Sequence, residues 1–163
     1  MAGEAERAEA IIDDRLKSSP NDFSLTYRVA PQVRAEAELS REGGDPSKAI
    51  DTLEVARPYE GEAVKIPYLR GMAFLRAQLG AQAAAEFQKV VDRFSREPFS
   101  VVHSLAHLGL ARATAMTGDH AASRKAYQDF LALWRDADLD IPVLQEAKAE
   151  YEKVSQSAPA AIP

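Results

Sequence analysis

The chain has 163 residues, of which 46% are apolar and 28% charged, with no cysteine and a formal net charge of -5. That length allows one compact domain or a short solenoid with a real core, and the composition is not that of a disordered chain. Disulfides, thiolate metal sites and cysteine nucleophiles are excluded, and a mildly acidic chain without a broad basic face is not a nucleic-acid binder.

Alanine is abundant and Val, Ile and Thr are sparse, which favours helix over sheet because Ala, Leu, Glu, Lys, Arg and Gln lose least on entering a helix. The pattern predicts eight helices. The first covers about 4–18, with Ala8, Ile11, Ile12 and Leu16 on one face, and Ser19-Pro20-Asn21-Asp22 breaks it. The second runs over about 24–42 and ends at Gly43-Gly44, where a left-handed cap costs least. Asp45-Pro46 opens the third, with Asp as N-cap and Pro at the first helical position, and it stops near Pro58. The fourth covers about 64–79 and ends at Gly80. The fifth covers about 82–95, and Arg96-Glu97-Pro98 forms a loop. The sixth covers about 99–117, ending at Gly118-Asp119, and the seventh about 120–135, carrying Tyr127, Phe130, Leu131 and Trp134. A turn at 136–140 leads into the eighth, about 141–155, with Asp140 as a cap. A disordered tail is expected over 157–163. Residues 1–156 read as a single helical repeat domain.

Charge is unevenly placed. Residues 1–62 carry 14 acids and 8 bases, residues 63–118 carry 3 and 7, and residues 119–163 carry 8 and 5. The middle third is therefore basic between acidic flanks. No apolar run reaches a membrane span and no signal-peptide core follows Met1. The expectation is a soluble protein, not inserted in a membrane, in the cytoplasm sooner than outside it.

The helices come in pairs that recur. Gly44, Gly80 and Gly118 mark turns 36 and 38 residues apart, Ala49 and Ala83 are 34 apart, and Gly71–Gly109 and Ala73–Ala111 are each 38 apart. A helix–turn–helix period of this length marks a solenoid of stacked pairs. The spacing Gly71, Phe74, Ala83, Phe87 resembles the tetratricopeptide (TPR) repeat, which has Gly, aromatic, Ala and aromatic at repeat positions eight, eleven, twenty and twenty-four. On that register Gly71 and Ala83 face each other within the second pair. The first repeat matches through Ala37, Ala49, Leu53 and Ala56, and in the third Tyr127 falls two residues late. The resemblance implies an all-α TPR-type solenoid of three pairs with a helix at each end. The stretch 23–155 also resembles the C-terminal TPR region of bacterial eukaryotic-like Ser/Thr protein kinases, through AAAEFQKVVD at 83–92, LAHLGLARA at 105–113 and AYQDFLALWRDADLDIPVLQEAKAEYEKV at 126–154. It implies the regulatory or scaffold part of a signalling protein. No kinase element is present: there is no Gly-rich loop, catalytic-loop Asp or Asp-Phe-Gly.

Nothing in the sequence supports catalysis or a cofactor. His103 and His107 have the four-residue spacing of a metal-binding pair on a helix, but lack the Glu of a metalloprotease helix and a third ligand, so no metal site is expected. Asp136, Asp138 and Asp140 mimic the odd positions of a calcium loop, yet Ile141 and Ala147 stand where Gly and Glu are required. The Tyr127–Phe130–Trp134 stripe reads as core.

The candidate site is the groove that the TPR resemblance implies, lined by the first helix of each pair at repeat positions two, five, nine, twelve and thirteen. Residue by residue this gives Arg34, Glu38 and Arg41; Lys65, Tyr68, Met72, Leu75 and Arg76; and His103, Ala106, Leu110, Ala113 and Thr114, with His107 alongside. The Lys and Asn pair that clamps a C-terminal carboxylate in some TPR proteins is absent. A groove of Arg, Tyr, Met and His suits a protein or peptide partner with acidic and apolar side chains. The alternatives are a self-associating scaffold, such as a homodimer, and a metal-binding protein centred on His103 and His107.

Overall fold

A computed structural model describes residues 2–62, 64–93 and 100–156. Among them are eight α-helices and no strand: α1 (Ala2–Ser18), α2 (Ala30–Ser40), α3 (Pro46–Glu54), α4 (Lys65–Arg76), α5 (Gly80–Val91), α6 (Val101–Met116), α7 (His120–Leu133) and α8 (Pro142–Gln156). The loop expected at 96–98 and the tail expected at 157–163 lie outside the described residues.

Several boundaries follow from single residues. The chain enters α2 through a π-helical turn, Leu25–Val29, in which the Ala30 N–H reaches back to the Leu25 carbonyl. Pro31 supplies no N–H for the ordinary ladder at this point, so the turn widens. The Asp45 carboxylate accepts a hydrogen bond from the Ser47 N–H and Pro46 starts α3, as the sequence predicts. Asp119 caps α7 in the same way through the Ala122 N–H. A 3₁₀ segment, Arg57–Glu62, that sequence periodicity did not indicate follows α3.

Three expectations are corrected. Gly80 is not the turn residue of the second pair: it is the first residue of α5, and the left-handed position belongs to Gln78, with φ 61°. Gly80 is small for another reason, since a Cβ there would sit 3.0 Å from the Ala113 carbonyl oxygen and from Met116 Cβ on α6. Gly71 does not face Ala83 first. Its open side meets the Phe87 ring, which a Cβ would approach to 2.8 Å. Asp140 makes no capping hydrogen bond, and α8 begins after Ile141, whose carbonyl accepts from the Leu144 and Gln145 N–H groups.

Each helix packs on the next along the chain, and α4 also touches both α2 and α6. The result is a row of helical hairpins laid side by side, with α2, α4 and α6 forming one layer and α3, α5 and α7 the other. The core changes character along the row. Near the N-terminus it is Ile12, Leu25 and Ala30, then Ala35, Ala49, Leu53, Leu69 and Ala73. Further on it holds Phe87 with Ala83, Val90, Ala106 and Ala113, and at the C-terminal end Tyr127, Phe130, Leu108 and Leu144. Trp134 is half-buried against this last cluster and Tyr151 of α8 packs there too, so the aromatic stripe of α7 is core.

Candidate protein-binding groove

The equivalence between pairs is fixed by the left-handed residues Gln78 and Gly118. Nine residues beyond them stand Phe87 and Tyr127, both fully or nearly fully buried. Tyr127 is therefore in step with Phe87, and not late. Counting back instead, Tyr68 and Met72 match Leu108 and Arg112, 40 residues on. The 38-residue spacing of Gly71 and Gly109 has a different origin: both glycines lie against the same Phe87 ring, one from within its own hairpin and one from the next. A Cβ at Gly109 would come to 2.5 Å from that ring.

This two-residue correction changes the third segment of the expected groove. Ala106 and Ala113 are completely buried, and Thr114 and His103 nearly so. Leu110 is half-buried between two core clusters. The surface is instead formed by Leu105 and Arg112, with Leu108 buried beneath them. Together with Tyr68 and Met72 of α4, Gly109, Trp134 at the end of α7 and Val143 of α8, they line a cleft of about 300 Å³. Sequence reasoning missed Leu105, Leu108, Arg112 and Trp134 as lining residues. The signal that would have found them was a match counted from the inter-helix turn, and it was hidden because Gln occupies that position in the second pair.

The remaining expected residues divide. Lys65 belongs to the same surface, and its Nζ pairs with Glu36 of α2 at 2.8 Å. Arg34 pairs with Asp13 of α1 at 2.7 Å. Glu38 is buried: it accepts from the Asp45 N–H, pairs with Lys48 at 2.9 Å and with Arg41 at 3.2 Å. The backbone hydrogen bond from Asp45, with Lys48 next, holds its carboxyl below the ordinary range despite burial. Arg41 also pairs with Glu9 of α1. Arg76 donates to the carbonyls of Leu39 (2.6 Å) and Arg41 (3.0 Å) at the end of α2. Besides being placed in the expected groove, Arg76 is therefore a cap for the end of α2.

His103 and His107 form a separate hollow of about 370 Å³ with Asp129, Ala132 and Leu133. Their rings meet edge to face at 5.0 Å, and His107 Nδ1 lies 4.0 Å from Asp129 Oδ2. Burial, helped by His103, lowers the His107 pKa against the pull of Asp129. No group of three or more metal-ligating side chains occurs among the described residues.

The groove surface carries a chain of charges from one end of the row to the other. Glu36 pairs with Lys65, Tyr68 feels both Arg112 and Glu36, and Arg112 pairs with Glu150 (2.9 Å) and Glu146 (3.4 Å) of α8. Burial raises the Tyr68 hydroxyl above its ordinary value. Glu150 also accepts from the Tyr127 hydroxyl at 2.9 Å, which with burial pushes that phenol up. No protein family, curated protein or solved structure matches the chain.

Proposed function

We propose that the chain is a TPR-type interaction module, without catalytic activity, that holds a segment of another protein in the groove between α4, α6 and α8. The observation that supports this most is the cleft where α4, α6 and α8 meet: four large apolar side chains, Tyr68, Met72, Leu105 and Trp134, are left partly open there over the buried Leu108. The resemblance to kinase-linked TPR regions makes it the regulatory or scaffold part of a signalling protein. A photo-crosslinking side chain placed at Met72 or Leu105 is expected to label a partner segment, and one placed at Asp51, an exposed residue of α3 in the other layer, is not. Labelling from position 51 alone would move the site to the opposite face. No helix among the described residues is long and apolar enough to cross a membrane.

A self-associating scaffold is the second reading, and a different surface supports it. Phe23, Tyr27 and Tyr59 stack at 4.9–6.0 Å between ring centres, with Phe23 54% exposed. If sedimentation shows a dimer, Phe23→Ser should dissociate it. A dimer that survives this change would refute the assignment to the trio.

A further inference from the structure

The free charges around the groove have a sign opposite to that suggested by the basic middle third. Each of the described bases there is already engaged by the chain itself. Arg70 and Lys89 bind Glu60 and Glu86, and Arg93 donates to the Glu60 carbonyl. Arg76 caps α2. Lys65 and Arg112, the two that reach the groove, are held by Glu36, Glu150 and Glu146.

Acids at the groove are in excess. Around it stand Glu36, Glu146 and Glu150 against Lys65 and Arg112. The turn joining two lining residues, Trp134 and Val143, adds Asp136, Asp138 and Asp140 against Arg135 alone. Asp136 pairs with Arg135 at 3.4 Å, both strongly exposed. The Asp138 and Asp140 carboxylates make no hydrogen bond or ion pair among the described residues, and Glu146 is 64% exposed. Two lining residues also keep a polar atom in reserve: the Tyr68 hydroxyl and the Trp134 indole N–H have no hydrogen-bond partner among the described residues. A bound backbone could supply one.

We infer that the groove takes a cationic protein segment, one that seats large apolar side chains against Tyr68, Met72, Leu105 and Trp134 and places Lys or Arg beside Asp138, Asp140 and Glu146. This rests on the groove reading above. The charge complementarity would steer encounter and reject acidic segments more than it would tighten the final complex.

Trp134 is the sole tryptophan, so its emission reports on the groove. Three tryptophan-free peptides of equal length and identical Leu and Phe spacing, with Lys, Gln or Glu at all other positions, would be titrated against the protein. Trp134 fluorescence and calorimetry would be read. The Lys peptide is expected to bind about tenfold or more tighter than the Glu peptide, as two or three exposed pairs allow. The difference should shrink in high salt. The triple change D138N/D140N/E146Q should remove most of that preference. The control E6Q/D14N/D51N, which alters net charge equally but away from the groove, should keep it. Equal binding of the Lys and Glu peptides, or equal loss in both triple variants, overturns the charge assignment and leaves the groove standing. Silence from all three peptides overturns the groove reading and this inference together.

Discussion

The Phe87 ring is touched from two sides by residues that have no side chain. Gly109 is the tighter of the two, so Gly109→Ala forces a methyl group into the ring and is expected to destabilise by about 1–3 kcal/mol. Phe87→Leu in the same chain should recover part of that loss, because the neighbour that must give way is then smaller. Gly61→Ala, where nothing lies within 4 Å of the added atom, should change little. Urea unfolding of the variants checks all three. A Gly109→Ala protein as stable as the parent would mean that α6 does not approach α5 as described. Arg70 is the other decisive residue. It is completely buried between Glu60 and Glu86, with its Nε and Nη1 lacking hydrogen bonds. Its removal leaves both carboxylates to Lys89 alone, so Arg70→Met should cost about 3 kcal/mol, the lower end for a broken buried pair. Burial alone would raise the Glu60 carboxyl, but the hydrogen bonds from Arg70 and Lys89 win and lower it. A carboxyl lowered by folding stabilises the protein above its ordinary pKa and ceases to do so as pH falls through the folded value. Melting temperature should therefore drop on acidification through and below the usual carboxyl range. Arg70→Met should flatten the part of that drop due to Glu60. A pH profile identical to the parent's would count against the assignment.

At the scale of the helix, the decisive finding concerns ends. Arg76 reaches from α4 to the last carbonyls of α2, so Arg76→Ala should fray α2 and lower stability by about 1–3 kcal/mol. Lys65→Glu touches only an exposed pair with Glu36 and should cost no more than about 1 kcal/mol. Circular dichroism melts of the two single variants separate these roles. Similar losses would show that the carbonyls of Leu39 and Arg41 do not need the guanidinium. The existence of the eight helices was legible in the sequence because their starts are spelled out by side chains that cap, such as Asp45 and Asp119, and their faces by apolar spacing. What was not legible was rotation. A shift of two residues turns a helix by about half a circle, enough to exchange Ala106 and Leu110 for Leu105 and Arg112 on the groove surface. Gly71 and Gly109 suggested the wrong shift because both serve one aromatic ring, while the turn that sets the true one is built on Gln78. The buried role of Arg70 was hidden for a related reason: its partner Glu60 sits on a 3₁₀ segment without helical periodicity.

For the molecule as a whole, the uneven charge of the sequence is a folding device. The basic middle third is wrapped between acidic flanks, and its arginines and lysines point outward along the row to Glu36, Glu60, Glu146 and Glu150 or inward to Glu86. Such links join each hairpin to its neighbour. The two ends of the row are closed by α1 and α8, whose outward residues include Glu6, Arg7 and Asp14 at one end and Lys148, Glu152 and Lys153 at the other. Replacing Leu144, fully buried against Tyr127 and Phe130, by Asp should release α8 and expose those rings. The variant is expected to bind more of an apolar dye than the parent and to form larger assemblies in light scattering. A dispersed, dye-silent variant would show that α8 is not needed to cover α7.

The gradient of core size along the row has a temporal counterpart. Aliphatic side chains, alanines with Leu and Ile, hold α1, α2 and α3, whereas aromatic rings join the aliphatic side chains that hold α5, α6 and α7. In a row where each hairpin is stabilised by its neighbours, local opening begins where the least apolar surface is lost. Backbone amides of α1 and α2 should thus trade their protons for deuterium first, and those of α6 and α7 last and together. The single Phe87 ring ties the second and third hairpins into one exchanging unit. The chain would then have a slow half and a fast half, with the groove lying in the slow one: a binding surface kept in shape while the other end of the molecule breathes.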